Sequence, residues 1–183
     1  MTLYTIGHST RTLDELISAL KAHDIKALAD IRAFPMSRRL PQFNRDDLGP
    51  ALHPHGILYR WFPKLGGRRK RVYPKGESPN VSLRSDSFRN YADYMLTNEF
   101  AEGMEDLLTL AASHQLAYMC AERVYFRCHR MLVSDWLTAQ THEVLHIDDE
   151  RPPKPHALMR VARLVGSKLL YDGDESGQER LAM

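Results

Sequence analysis

The chain has two cysteines among 183 residues, too few for the disulfide framework of a small exported fold. No apolar run approaches the ~18 residues of a membrane-spanning helix. Charge of neither sign dominates. Lys and Arg number 25 against 23 Asp and Glu, leaving +2, so bulk charge does not announce a nucleic-acid binder. The sequence has no repeat at a period of ~20–50 residues and no low-complexity tract, which excludes solenoids and propellers. The opening MTLYTIGHST has neither a charged lead nor a cleavage site, so no signal peptide is expected. These absences leave a reduced, cytoplasmic protein as the expectation. What is present is ordinary globular composition, in a length that suits one domain with its own core.

Short strand-like runs alternate with helical faces. Residues 3–6 are β-rich and end at Gly7. Thr12 with Glu15 forms a capping box, and Leu13, Leu16, Ile17 and Leu20 share one helical face. Residues 25–31 barely alternate, as in a strand buried on both sides. Asn44 and Asp47 mark a short helix that closes before Gly56, and 57–62 read as a third strand. Residues 63–87 read as one long, exposed and mobile loop. A helical stretch over 88–113 breaks near Asn98. Residues 116–120 and 144–147 are the fourth and fifth strands, with a helix starting after Cys128. Beyond the prolines at 152, 153 and 155, Leu158, Val161, Ala162 and Val165 predict a short amphipathic helix, and 168–171 a possible edge strand. The expected architecture is a single α/β domain, Rossmann-like or flavodoxin-like, with a mostly parallel sheet of about five strands. Residues 1–150 would form it, with 151–183 packed on it as a helix and edge strand.

Such sheets bind ligands beyond the carboxyl ends of their strands, and polar, reactive residues pile up there. Strand one delivers Gly7, His8 and Ser9. Strand two delivers Asp30, Arg32, Ser37, Arg38 and Arg39. Strand three delivers Gly66, Gly67, Arg68 and Arg69. Strand four delivers Cys120, Glu122 and the run from Arg127 to Arg130, and strand five Asp148 and Asp149. His8 suits acid–base work or simply bonds its own turn. Asp30 and Arg32 could pair with each other or meet a ligand. Arg38, Arg68 and Arg69 match phosphate or carboxylate bidentately or face solvent, and Gly66-Gly67 lets backbone approach a ligand. Cys128, beside His129 and Arg130 at a helix start, should have a lowered pKa and be the more reactive thiol. Cys120 reads as shielded. Glu122 is a candidate general acid or base. The cysteines with His129 and His8 could bind a metal, but seven residues between the cysteines match no standard zinc spacing, so no metal site is assigned and the cofactor is left unknown. A loose likeness to rhodanese-type and Cys-phosphatase loops is weakened by the absence of glycine between Cys120 and Arg127.

These segments, taken in order, are similar to a known family. They are residues 5–9, 30–39, 42–44, 65–69, 91–95, 120–122 and 128–130, reading TIGHS, DIRAFPMSRR, QFN, LGGRR, YADYM, CAE and CHR. They resemble the bacterial and archaeal family catalogued as domain of unknown function 488, over about residues 3–147. The resemblance implies a cytoplasmic α/β protein without a settled activity, and some members carry a DNA-repair label. The chain departs from the pattern at Arg123-Val124-Tyr125-Phe126-Arg127, where an acidic residue or proline would be expected mid-segment.

The leading expectation is an enzyme of unassigned reaction on an anionic, phosphate-bearing substrate, a nucleotide or nucleic acid. His8, Glu122, Cys120, Cys128 and His129 would supply chemistry. Ser9, Asp30, Arg32, Arg38, Arg68, Arg69 and Arg130 would bind substrate. The alternatives are a nucleic-acid-binding module without catalysis, stacking bases on Trp61, Phe62 and Tyr73, or a Cys/His metal or redox protein. The expected partner is an anionic small molecule or nucleic acid and not a membrane, and the oligomeric state is left open.

Overall fold

A computed structural model of the chain describes residues 1–173. The capping box forms as expected. Thr12 accepts from the Glu15 amide, Glu15 returns a bond to the Thr12 amide, and α1 (Leu13–Ala22) follows. Around it lie β1 (Thr2–Gly7), β2 (Ala27–Asp30), α2 (Arg45–Leu52) and β3 (Leu58–Trp61). Then come α3 (Asp86–Tyr94), α4 (Asn98–Ser113), β4 (Leu116–Cys120), α5 (Arg130–Ala139) and β5 (Glu143–Ile147). The helical stretch over 88–113 is two helices, with Thr97 capping the second through the Phe100 amide. Asn44 precedes α2, but its side chain accepts from the Ser37 amide instead of capping the helix.

The central sheet has the order β3-β2-β4-β1-β5-β6. The first five strands are parallel, and β6 (Lys154–Pro155) runs antiparallel to β5. The architecture is therefore a single mixed α/β sheet flanked by five helices, as the alternating pattern implies. The order departs from the 3-2-1-4-5-6 and 2-1-3-4-5 orders of the two reference folds, because β4 inserts between β2 and β1.

Both faces are covered, which explains the near-continuous apolar strands. Along β4, Leu116 and Tyr118 join the core under α3, α4 and α5, whereas Ala117 and Met119 join the core under α1 and α2. Leu3 and Ile6 of β1 divide the same way. None of the helices among the described residues is long and apolar enough to cross a membrane.

The C-terminal segment differs from the expectation. No helix forms over 158–165. Ala162–Val165 is a strand, β7, paired antiparallel with β8 (Lys168–Tyr171) in a separate hairpin, so 168–171 is not an edge of the central sheet. The turn is Gly166-Ser167 with Gly166 at φ 61°, a two-residue connection that favours a hairpin over a helical face of four apolar residues. Residues 174–183 of the expected C-terminal unit lie outside the described residues. The 63–87 loop is tied at both ends. Arg69 bonds the Pro63, Lys64 and Gly66 carbonyls, and Asn80 bonds Asp93 and the Tyr171 amide. Between these ties its middle, residues 70–77, is largely exposed.

Candidate functional site

The chain leaves β1 through α1 on one face and β4 through α5 on the other, while β1 and β4 are neighbours. Their carboxyl ends therefore part around a crevice, the topological switch point at which open α/β sheets bind ligands. The ladder continues past the strands, with the His8 amide on the Cys120 carbonyl and the Ser9 amide on the Ala121 carbonyl. A cleft of about 1210 Å³ opens here, lined by the loops after β1, β2, β3 and β4.

Glycine makes this convergence possible. A Cβ on Gly7 would lie 2.0 Å from the Glu122 carbonyl oxygen, one on Gly66 2.8 Å from the Ala33 Cα, and one on Gly67 2.3 Å from His129 Nδ1. Gly66-Gly67 thus lets the protein's own loops approach closely, and neither glycine takes a positive φ.

His8, Ser9, Arg32, Arg68, Cys120, Glu122, Cys128 and His129 all line the cleft. Arg32 is buried and bidentate on Asp30, at 2.9 Å from Nε to Oδ1 and 2.6 Å from a terminal nitrogen to Oδ2. Tyr59 donates to the same carboxylate at 2.6 Å. Burial and that carboxylate push the phenol well above its ordinary range. The remaining Arg32 nitrogen meets His8 Nε2 at 3.2 Å. His8 Nδ1 donates to the Ser9 carbonyl, so Nε2 is the acceptor. Burial first, and the Arg32 charge second, lower the His8 pKa to about 4. The ring is neutral and partnered on both nitrogens, and it holds Arg32 in place. Asp30 is fully buried and paired with Arg32 and Tyr59.

The other expected anion ligands divide. Arg68 is exposed on the cleft, with its guanidinium 5.9 Å from the centre of the Phe34 ring. Arg69 is spent on three carbonyls and the Tyr94 ring, 3.7 Å from its centroid. Arg130, 1% exposed, lies beneath the loop and donates to the Glu122 and Arg123 carbonyls and to Thr5. Arg38 does not line the cleft. Asp148 and Asp149 face a second hollow of about 730 Å³, where they pair with Arg11, Arg123 and Arg151. Those charges neutralise one another. Arg127, already placed at this edge by the sequence, lines the cleft, and so does Arg123, which was not singled out as a site residue. Its place in the loop after strand four was the available signal.

The thiols sit on the floor. His129 Nε2 donates to the Ile31 carbonyl at 3.0 Å, which leaves the Nδ1 lone pair facing Cys128 Sγ at 3.4 Å and Cys120 Sγ at 3.9 Å. A hydrogen bond from the Cys120 thiol, then the Arg130 charge and amide, lower the Cys128 pKa to about 7 against the cost of burial. The same contact and burial push Cys120 to about 12. Cys120 is nonetheless the less buried of the two. Among the described residues, Glu122 is the only carboxylate lining the cleft. Its Oε1 accepts from the Val124 amide.

The family's sequence signature, domain of unknown function DUF488, matches residues 12–137. The chain belongs to the DUF488 family. Comparison with curated proteins and with solved structures finds no match. The DUF488 span thus takes in the loops after β2, β3 and β4 and both thiols, and the His8 turn lies just before it. The stacking rings expected of a nucleic-acid module are not gathered. Trp61 donates to the Arg32 carbonyl under Arg45, Phe62 is buried, and Tyr73 faces a different hollow.

Proposed function

We propose that this DUF488 chain is an enzyme acting on a phosphate-bearing substrate, a nucleotide or the end of a nucleic acid, in the cleft between β1 and β4. The observation that carries the reading is the lining of that cleft. Arg68 and Arg127 reach it without a carboxylate partner among the described residues, Arg123 flanks them, and Glu122 is the only acid present. Guanidinium groups with free donors match phosphate geometry. Phe34, Met36 and Phe126 are exposed at 70%, 76% and 55%, and all three line the same cleft. Large apolar side chains beside cations suit a ligand with a flat, weakly polar part next to its charge. That combination favours a nucleotide over a bare oxyanion.

In this reading Arg68 and Arg127 hold the phosphate, Arg32 presents its fixed charge at the back wall, and Glu122 transfers the proton. Cys128 supplies the electron pair on the floor. A reducing cytoplasmic setting belongs to the same proposal, because both cysteines are free. The test offers nucleoside mono-, di- and triphosphates and short oligonucleotides to the wild type and two variants. Arg68→Ala should weaken binding by about 10–100-fold, the worth of a charged hydrogen bond. Glu122→Gln should bind normally and lose about 100-fold or more in kcat. Failure of every phosphate-bearing ligand to bind would overturn the proposal, as would unchanged affinity in Arg68→Ala.

A further inference from the structure

Cys120 ends β4, whereas Cys128 and His129 begin α5. The intervening segment loops out and returns, so a spacing that fits no standard motif still brings three donor atoms together. Their sulfur and nitrogen atoms all lie within 4.8 Å of one another. In a tetrahedral site with bonds of about 2.3 Å to sulfur and 2.0 Å to nitrogen, neighbouring donors stand roughly 3.5–3.8 Å apart. The two sulfur-to-Nδ1 distances, 3.4 and 3.9 Å, bracket that range.

The imidazole is prepared for such a role by its other nitrogen. A metal-binding histidine typically gives its second N–H to a carbonyl or carboxylate, which fixes the ring and raises the basicity of the free nitrogen. His129 does this through the Ile31 carbonyl. The ring is also clamped, with Tyr91 at 5.1 Å between centroids and the Gly67 backbone against its face. All three donors line the cleft, so the fourth side of the cluster opens toward it. Three protein ligands and one open position describe a reactive rather than a structural metal site. Two thiolates and a neutral imidazole match a doubly charged soft or borderline cation.

We propose that Cys120, Cys128 and His129 form a three-ligand site for a thiophilic divalent cation of the zinc class, with its open position facing the cleft. The inference stands on the thiol–imidazole geometry and is independent of which substrate the cleft accepts. The electron pair of Cys128 then serves the metal, and the metal serves the ligand in the cleft.

The test uses the full chain, chelator-treated under reducing conditions and titrated with cobalt(II), then with zinc. The expected result is one cobalt per chain, a thiolate-to-cobalt charge-transfer band, and stoichiometric displacement by zinc. Cys120→Ser and His129→Asn should each weaken cobalt binding by at least tenfold, on the order of what outer ligands alone contribute. The wild-type titration decides the matter even if a variant misfolds. Absence of binding overturns the proposal, and so does cobalt uptake without the charge-transfer band, which would place the ion on oxygen ligands elsewhere.

Discussion

Acidification should destabilise the protein through His8 in particular. The ring is 3% exposed, and its pKa is lowered from 6.5 to about 4 by burial and by Arg32. Because the folded value lies below the unfolded one, the unfolded chain takes up the proton first as pH falls. The contribution of His8 to stability is therefore complete above pH 6.5 and is lost progressively toward pH 4. Linkage over that window gives a loss of about 2 kcal/mol between pH 7 and pH 5 from this residue alone, a sizeable part of the ~5–15 kcal/mol that holds a domain folded. The assay is urea unfolding at pH 7, 6 and 5 for the wild type and His8→Gln. Glutamine keeps an acceptor for Arg32 and cannot titrate. His146, lowered to about 3 by burial and its neighbour His156, adds to the loss in both proteins, so the difference between profiles isolates His8. Parallel profiles would refute the reasoning, since they would mean that the buried ring accepts a proton without cost.

Three further outcomes are expected. Gly67→Ala forces a methyl to 2.3 Å from His129 Nδ1 and should cost about 1–3 kcal/mol by overpacking, read as a lower Tm; an unchanged Tm would mean the ring moves freely. Tyr59→Phe removes a donor from the buried Asp30 carboxylate and should cost about 1–3 kcal/mol in urea unfolding; a neutral result would show that Arg32 alone satisfies that group. In metal-free protein, alkylation of Cys128 should follow an apparent pKa of about 7 that rises in Cys120→Ala, because the Cys120 thiol is the largest cause of the depression; a midpoint unmoved by Cys120→Ala would remove that hydrogen bond from the account.

Much of the fold is legible in the sequence because its signals are local. The Thr12–Glu15 box, the unalternating strand before Asp30 and the break near Asn98 each mark an element that exists. The placement of reactive residues on one sheet edge also holds for most of them, since it follows from strand direction alone. What is not legible is which charges are already used. Nothing local to Arg69 or Arg130 indicates that one is absorbed by three carbonyls and the other lies under a loop. The same is true of His8, whose partner Arg32 stands 24 positions away. The C-terminal error has a different origin. Leu158, Val161, Ala162 and Val165 match a helical face, but Gly166-Ser167 between two short apolar runs is a hairpin signal, and turn geometry outweighed the weak periodicity. The cation potential of the two cysteines was hidden by sequence spacing, which measures distance along the chain and not across a fold.

The strand order has a consequence for synthesis. Both neighbours of β1 are β4 and β5, which lie more than a hundred residues later in the chain. While the ribosome is still making the segment up to α4, β2 and β3 can already pair with each other, but β1 can pair with nothing. Such distant pairing is slow, and an unpaired apolar strand edge attracts other chains. Chains released before β4 is made therefore carry a sticky N-terminal ribbon, and the His8 turn comes to rest beside the two thiols only once β1 has paired with β4. The crevice between β1 and β4 therefore exists only after two thirds of the chain has been made.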